Sequence, residues 1–234
     1  MSRTLWSIVP ALALAACGGS TKSDEEVAPA AVAESGQTEA PVPAVTGPER
    51  RILAFGDSLF AGYRLAENEG YPEKLQAALR ARGIDARVTD AAVSGDTTAA
   101  GKQRIDFVLD ALLEKPDLAL VELGGNDLLR GLSPDEAKAN LGFILGRLQA
   151  RKIPVLLMGM RAPPNAGPEY QARFDAIYAD LAKQFGAPLV PFFLEPVHDR
   201  PELLQADHIH PTAEGVDALI AATADDVAAA LPND

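Results

Sequence analysis

Between residues 50 and 234 the chain alternates two hydrophobic rhythms. Short apolar runs at 52–55, 86–92, 118–123, 153–158 and 188–192 have the length and bounding residues of strands. The run at 118–123 is broken only by Glu122, the pattern of a strand buried on both faces. Between these runs the apolar positions fall three and four apart. Residues 71–82 place Leu75, Ala78 and Leu79 on one face and stop at Gly83. Residues 98–113 do the same with Ile105, Val108, Leu109 and Leu112, and Pro116 ends them. Ser133-Pro134-Asp135-Glu136 has the form of a capping box with proline at the first helical position. Ala137, Leu141, Ile144, Leu145 and Leu148 then mark a buried face, and further helices are predicted at 169–185 and 211–231. This alternation predicts an α/β fold: a three-layer α/β/α sandwich with a five-stranded parallel, flavodoxin-like sheet of order 2-1-3-4-5. In that order the first strand is central and ends at the switch point where ligands bind.

The first 49 residues follow neither rhythm. Residues 5–16 are apolar, too short to span a bilayer and suited to a signal peptide, with Arg3 before them. The segment ends Leu14-Ala15-Ala16-Cys17-Gly18, which resembles the bacterial lipoprotein signal. That resemblance implies a signal peptide of residues 1–16 and a lipid on Cys17. Gly18 rather than Asp follows the cysteine, which implies the outer membrane in a Gram-negative cell. Cys17 is the only cysteine, so no intrachain disulfide can form. Residues 18–49 hold four prolines, six acidic residues and no aromatic residue. Such a composition buries too little apolar surface to offset its ordering entropy. Residues 17–49 are therefore expected to be a lipidated disordered linker with a reach of roughly 30 Å, and 50–234 a single globular domain.

Charge narrows the partners. The chain carries −12 in all. Arg3 and the acidic linker account for part of it, and residues 50–234 keep −8. An acidic domain argues against nucleic acid and against docking on anionic lipid through the folded surface. Membrane contact is expected only through the lipid on Cys17, and the chain is expected to be a monomer.

Four blocks fall at strand ends or loops. Gly56-Asp57-Ser58-Leu59 follows the first strand, Ser94-Gly95-Asp96-Thr97 the second and Gly124-Gly125-Asn126-Asp127 the third, while Asp207-His208-Ile209-His210-Pro211 precedes the last helix. Serine hydrolysis needs a nucleophile, a base, a group that orients the base, and donors for the oxyanion. Ser58 can supply the first and His210 the second. Asp207, three residues before His210, can reach the imidazole across a tight turn. Asn126 can offer a side-chain N–H. Gly95 has no Cβ and lets its backbone N–H approach a ligand. Asp57 reads as a structural neighbour of the serine, Asp127 as a turn cap and His198 as a solvated loop residue. His208, His210 and Asp207 also hint at a metal site, but no further cluster supplies a third firm ligand. The loop 161–170, with three prolines, is either a rigid connection or a lip over the acyl site.

Together these blocks resemble the SGNH, or GDSL, hydrolase superfamily over residues 51 to about 231. The likeness is nearest to its bacterial arylesterase, acyl-thioesterase and lysophospholipase subgroup. Met160-Arg161-Ala162-Pro163-Pro164-Asn165 and Pro191-Phe192-Phe193-Leu194-Glu195 carry the same likeness. Position 208 departs from it: the subgroup commonly has Gly or another residue there, and this chain has His. The resemblance implies a serine hydrolase of small acyl esters or thioesters. Ser58, Asp207 and His210 would be its triad, and Ser58, Gly95 and Asn126 its oxyanion hole. No cofactor or metal is expected. The rivals are a carbohydrate O-deacetylase and a non-catalytic binding lipoprotein of the cell envelope.

Overall fold

In the computed structural model the described residues are 45–232. The expectations on residues 1–16, on Cys17 and on most of the linker lie outside them. Five strands form one wholly parallel sheet: β1 (Thr46–Phe55), β2 (Ile84–Asp90), β3 (Leu118–Glu122), β4 (Val155–Met158) and β5 (Leu189–Val190). Their order is β2-β1-β3-β4-β5, as the hydrophobic rhythm predicts. The helices are α1 (Tyr71–Ala81), α2 (Thr98–Ala111), the short α3 (Gly125–Leu129), α4 (Pro134–Ala150), α5 (Pro168–Phe185) and α6 (Ala213–Ala230). The crossover from β1 to β2 and the one from β2 back past β1 to β3 run in opposite directions, so with one hand they put α1 and α2 on opposite faces. Accordingly α1 packs with α6, while α2, α4 and α5 pack side by side.

The core follows from the sequence pattern. All five residues of β3 are buried, and so are Ile52, Leu53, Ala54 and Phe55 of β1. Helix starts use the caps that the sequence offers. The Thr97 side chain accepts from the Ala100 N–H at 3.3 Å, Ser133 from Glu136 at 3.5 Å and Thr212 from Gly215 at 3.1 Å. Each cap fixes where a loop gives way to a helix.

The bounds differ in instructive places. β1 begins at Thr46, so residues 46–49 belong to the sheet and not to a linker ending at 49. Its first half pairs with β2 alone, Thr46 opposite Ile84 and Arg50 opposite Ala86, whereas pairing with β3 begins at Ile52. A half that is open on one side tolerates Glu49, Arg50 and Arg51, and polar residues hide a strand from a hydrophobic count. The last helix starts at Ala213 rather than 211 because Thr212 is its cap and Pro211 bridges back to Leu204.

Candidate active site

The four blocks meet at the carboxyl edge of the sheet. β1 ends at Phe55, and Ser58 follows in the turn, 8% exposed. Residues 204–211 form a closed loop. Leu204 and Pro211 bridge, the Gln205 N–H donates to the His210 carbonyl at 2.7 Å, and the Gln205 side chain donates to the carbonyls of Pro211 (2.9 Å) and Tyr63 (2.7 Å). Tyr63 in turn packs on the His210 ring at 4.4 Å. The loop is therefore tied to the helix-bound side of the Ser58 turn, and it presents Asp207 and His210 inward.

His210 Nε2 lies 2.9 Å from Ser58 Oγ, and His210 Nδ1 lies 2.9 Å from Asp207 Oδ2. Asp207 Oδ1 accepts the N–H groups of Ile209 and His210, each at 3.0 Å. Partial burial, the largest single influence, pushes the Asp207 carboxyl up. The His210 N–H, the His210 ring and the Ile209 N–H together outweigh it and hold the group at about 2. Asp207 is then an anion at neutral pH and can only accept. Nδ1 of His210 must carry the hydrogen, and Nε2 offers its lone pair to the Ser58 hydroxyl.

Asn126 reaches the site through Asp57. Its Nδ2 donates to Asp57 Oδ2 at 3.0 Å, and the Leu59 N–H donates to Asp57 Oδ1 at 3.0 Å. Asn126 sits on α3, which starts straight after β3. Gly124 takes φ of 119° there, and a Cβ would lie 2.2 Å from the Tyr178 hydroxyl, so only glycine fits. Gly95 lies in the loop after β2, exposed, with φ of 88°. Its carbonyl accepts from Arg130 at 2.9 Å. Of the predicted site residues, Ser58, Asn126 and His210 line one cavity, Asp207 stands behind His210, and Gly95 is on the neighbouring loop.

That cavity measures about 270 Å³. Its walls are mostly apolar: Leu59, Leu128, Met160, Phe192, Leu204 and Ile209 are among them. Arg161 and Pro163 also line it, so the loop 161–170 reaches the cavity while Tyr170 anchors it to the Leu132 carbonyl at 2.9 Å. His198 is exposed, as a solvated residue would be, yet it too borders the cavity, edge-on to Phe192 at 5.1 Å. His208 adopts φ of 57°, the left-handed conformation that glycine takes freely, which explains why glycine suits this position. Among the described residues no three His, Cys, Asp or Glu side chains stand close enough to hold a metal ion.

Two supports escape a reading by motif. Arg104 of α2 donates to Asp96 (2.6 Å) and to the carbonyls of Ala91 (2.6 Å) and Gly56 (3.0 Å), and lies 4.0 Å over the Phe55 ring. One guanidinium thus ties the serine turn to the Gly95 loop. Its only signal is a cation beside the apolar face of a helix. Asp127 caps α2 rather than its own turn, taking the Thr98 N–H at 2.8 Å and hydroxyl at 2.6 Å.

The sequence pattern of the GDSL-like lipase/acylhydrolase family matches residues 54–218. Esterase TesA of Pseudomonas aeruginosa is 42% identical over 160 residues, covering 68% of this chain and 79% of that protein. A protein of Escherichia coli named thioesterase 1/protease 1/lysophospholipase L1 is 40% identical over 163 residues, covering 70% of this chain and 76% of its own. Among solved structures, AlinE4, described as an SGNH-hydrolase family esterase, is 65% identical, with a TM-score of 0.68, covering 80% of this chain and 100% of that one.

Proposed function

This chain belongs to the GDSL-like lipase/acylhydrolase family and cleaves esters or thioesters, and from that premise we propose that Ser58, His210 and Asp207 perform the reaction. Ser58 Oγ attacks the acyl carbonyl as its proton passes to His210 Nε2. The carbonyl oxygen becomes an oxyanion, met by the N–H groups of Ser58 and Gly95 and by the Asn126 side chain. The bond to the leaving oxygen or sulfur breaks, and His210 returns the proton to the departing alcohol or thiol. A water, deprotonated by the same Nε2, then attacks the acyl-enzyme. The carboxylic acid leaves, and Ser58 recovers its proton. Asp207 keeps the imidazole in the required tautomer and balances its charge at each transfer. The observation that carries this reading is the unbroken line from Ser58 through His210 to Asp207, with both spacings 2.9 Å.

The substrate reading rests on the cavity walls. An apolar cavity beside Ser58 suits the acyl chain of an aryl ester, an acyl thioester or a lysophospholipid. It gives little to a sugar hydroxyl, which disfavours an O-deacetylase. A fluorophosphonate should label Ser58, and a panel of aryl acetate, long-chain acyl thioester, lysophospholipid and acetylated xylan should rank the substrates. Turnover of acetylated xylan above the other three would reverse the choice.

The address is proposed from the leader. Residues 1–16 act as a signal peptide and Cys17 carries lipid. The hydrolase domain then works as a monomer at the periplasmic face of the envelope, on an acidic tether. Two acyl signals anchor stably where one does not. Replacement of Cys17 by Ser should release the protein from membranes or leave it unprocessed; unchanged fractionation and mass would refute the lipid.

A further inference from the structure

Glu122 ends β3 directly beneath the serine turn and is fully buried. Its Oε1 is the only buried side-chain nitrogen or oxygen among the described residues that lacks a hydrogen-bond partner. Its Oε2 accepts the Asp57 N–H at 3.3 Å. The Asp57 carboxyl is its charged neighbour, and two buried carboxyl groups so close cannot both ionise. The pair therefore holds one charge. The donors decide its place: the Leu59 N–H and the Asn126 amide both point at Asp57. Glu122 has no such donor on its side chain beyond the Asp57 N–H. Burial, and after it the charge of Asp57, push the Glu122 carboxyl well above the usual range.

We propose that Glu122 is a protonated positioning residue, which seats the Asp57 carboxylate so that Asp57 aims the Asn126 amide at the oxyanion. Asp57 and Asn126 both line the cavity, whereas Glu122 does not, so it acts only through Asp57. A neutral carboxyl suits this place. It accepts one N–H and can donate one hydrogen while adding no second charge to a dry pocket. Asp57 holds one hydrogen of the Asn126 amide, and the other is left for the substrate. The inference rests on the role proposed for Asn126 above.

Replacement by glutamine and by leucine separates this role from simple packing. Gln has the shape and the donor–acceptor pair of a protonated Glu, so Glu122→Gln should keep kcat within a few-fold of wild type. Glu122→Leu fills the space but frees Asp57, and a misplacement on the order of 1 Å in such a site costs about 10²-fold. That loss should fall on kcat with KM nearly unchanged, since the oxyanion forms after binding. In a protein that already carries Asn126→Ala, adding Glu122→Leu should cost only a few-fold more. A Glu122→Gln protein that keeps its Tm but loses kcat about 10²-fold would overturn the inference, and this measurement stands even if the leucine variant does not fold. So would a Glu122→Leu protein with wild-type kcat, or a leucine loss that multiplies in full with Asn126→Ala. Full kcat in Asn126→Ala alone would refute the oxyanion role of Asn126 and this inference with it. Loss in Asn126→Ala combined with full multiplication would refute this inference alone.

Discussion

The two ends of the sheet each border a cavity of about 270 Å³, and the two could hardly differ more in chemistry. At the amino end the walls come from Leu145, Ile153, Val155, Phe185 and Pro188, with Lys152 at the rim. Charged residues near that end stay on the surface in pairs such as Arg147–Asp106 and Arg151–Asp110, each 2.7 Å, which contribute little individually. At the carboxyl end the polar groups go inside. Eight buried polar or charged residues occur among the described residues, and Asp57, Ser58, Asp96, Thr97, Thr98, Glu122 and Asp127 all belong to that end. Cavity size thus does not identify the site. What does is the buried polar network, and strand ends in open parallel sheets are where loops can assemble one. The amino end serves stability, and the carboxyl end holds groups that an apolar core would exclude.

The largest test of this division is at the nucleophile. Ser58→Ala should lower kcat by about 10⁶-fold, the loss typical of a serine hydrolase without its serine. Its Tm should be unchanged or slightly raised, because sites tuned for function are seldom tuned for stability. Turnover of aryl acetate near the wild-type rate would show that Ser58 is not the nucleophile.

Asp207→Asn should come next, with a kcat loss of about 10⁴-fold, since the amide favours the wrong imidazole tautomer. The same residue makes a claim about acid. Its carboxyl is lowered from 3.8 to about 2 in the folded protein, so the folded state takes up that proton less readily than the unfolded chain. Its stabilising effect is complete above about pH 4 and is lost as pH falls towards about 2. Melting curves of wild type and Asp207→Asn should therefore converge over that window. A gap in Tm that stays constant down to about pH 2 would mean that Asp207 is not held as a buttressed anion.

The amino end should answer in the opposite currency. Leu145 is 1% exposed and lines the cavity there, so Leu145→Ala enlarges an existing void. The expected cost is about 2–5 kcal/mol of stability, or roughly 5–15 °C in Tm for a domain of this size. Below the transition kcat should stay within a few-fold of wild type. A kcat loss approaching that of Asp207→Asn would show that the two ends are coupled.

How much of this was legible differs between the same two ends. Strand order followed from hydrophobic rhythm, and Ser58, Asn126, Asp207 and His210 followed from short blocks whose spacing is local. Asp207 and His210 are three residues apart, so one turn decides their geometry. Arg104 and Glu122 were not readable in that way. Arg104 joins carbonyls that lie 13 and 48 residues away, and the Glu122–Asp57 contact spans 65. Such pairs exist only once the sheet is assembled. The start of β1 was missed because Glu49, Arg50 and Arg51 are polar in a half-strand paired on one side. The five-residue α3 was missed because it is too short to show a helical period.

The smallest expected effect compares one backbone feature at both ends. Lys152, just past α4 at the amino end, and His208, at the carboxyl end, are non-glycine residues with φ of 56° and 57°. Each sits in a tight turn: the Lys152 N–H donates to the Gln149 carbonyl and the His208 N–H to the Gln205 carbonyl, both at 2.9 Å. A left-handed residue with a Cβ costs about 1–2 kcal/mol. Glycine removes that cost but adds about 0.4–1 kcal/mol of unfolded-state entropy. Lys152→Gly and His208→Gly should therefore each stabilise by on the order of 0.5 kcal/mol, or about 1–2 °C in Tm. Activity should separate them where stability does not. Lys152→Gly should leave KM and kcat alone on every substrate. His208→Gly removes an imidazole from the cavity wall, so its KM should change with the acyl substrate while kcat stays within a few-fold, because His210 and not His208 meets Ser58. A kcat collapse in His208→Gly would move the base to that residue, and a Tm loss in both variants would mean that the side chains hold these turns more firmly than the backbone resists them.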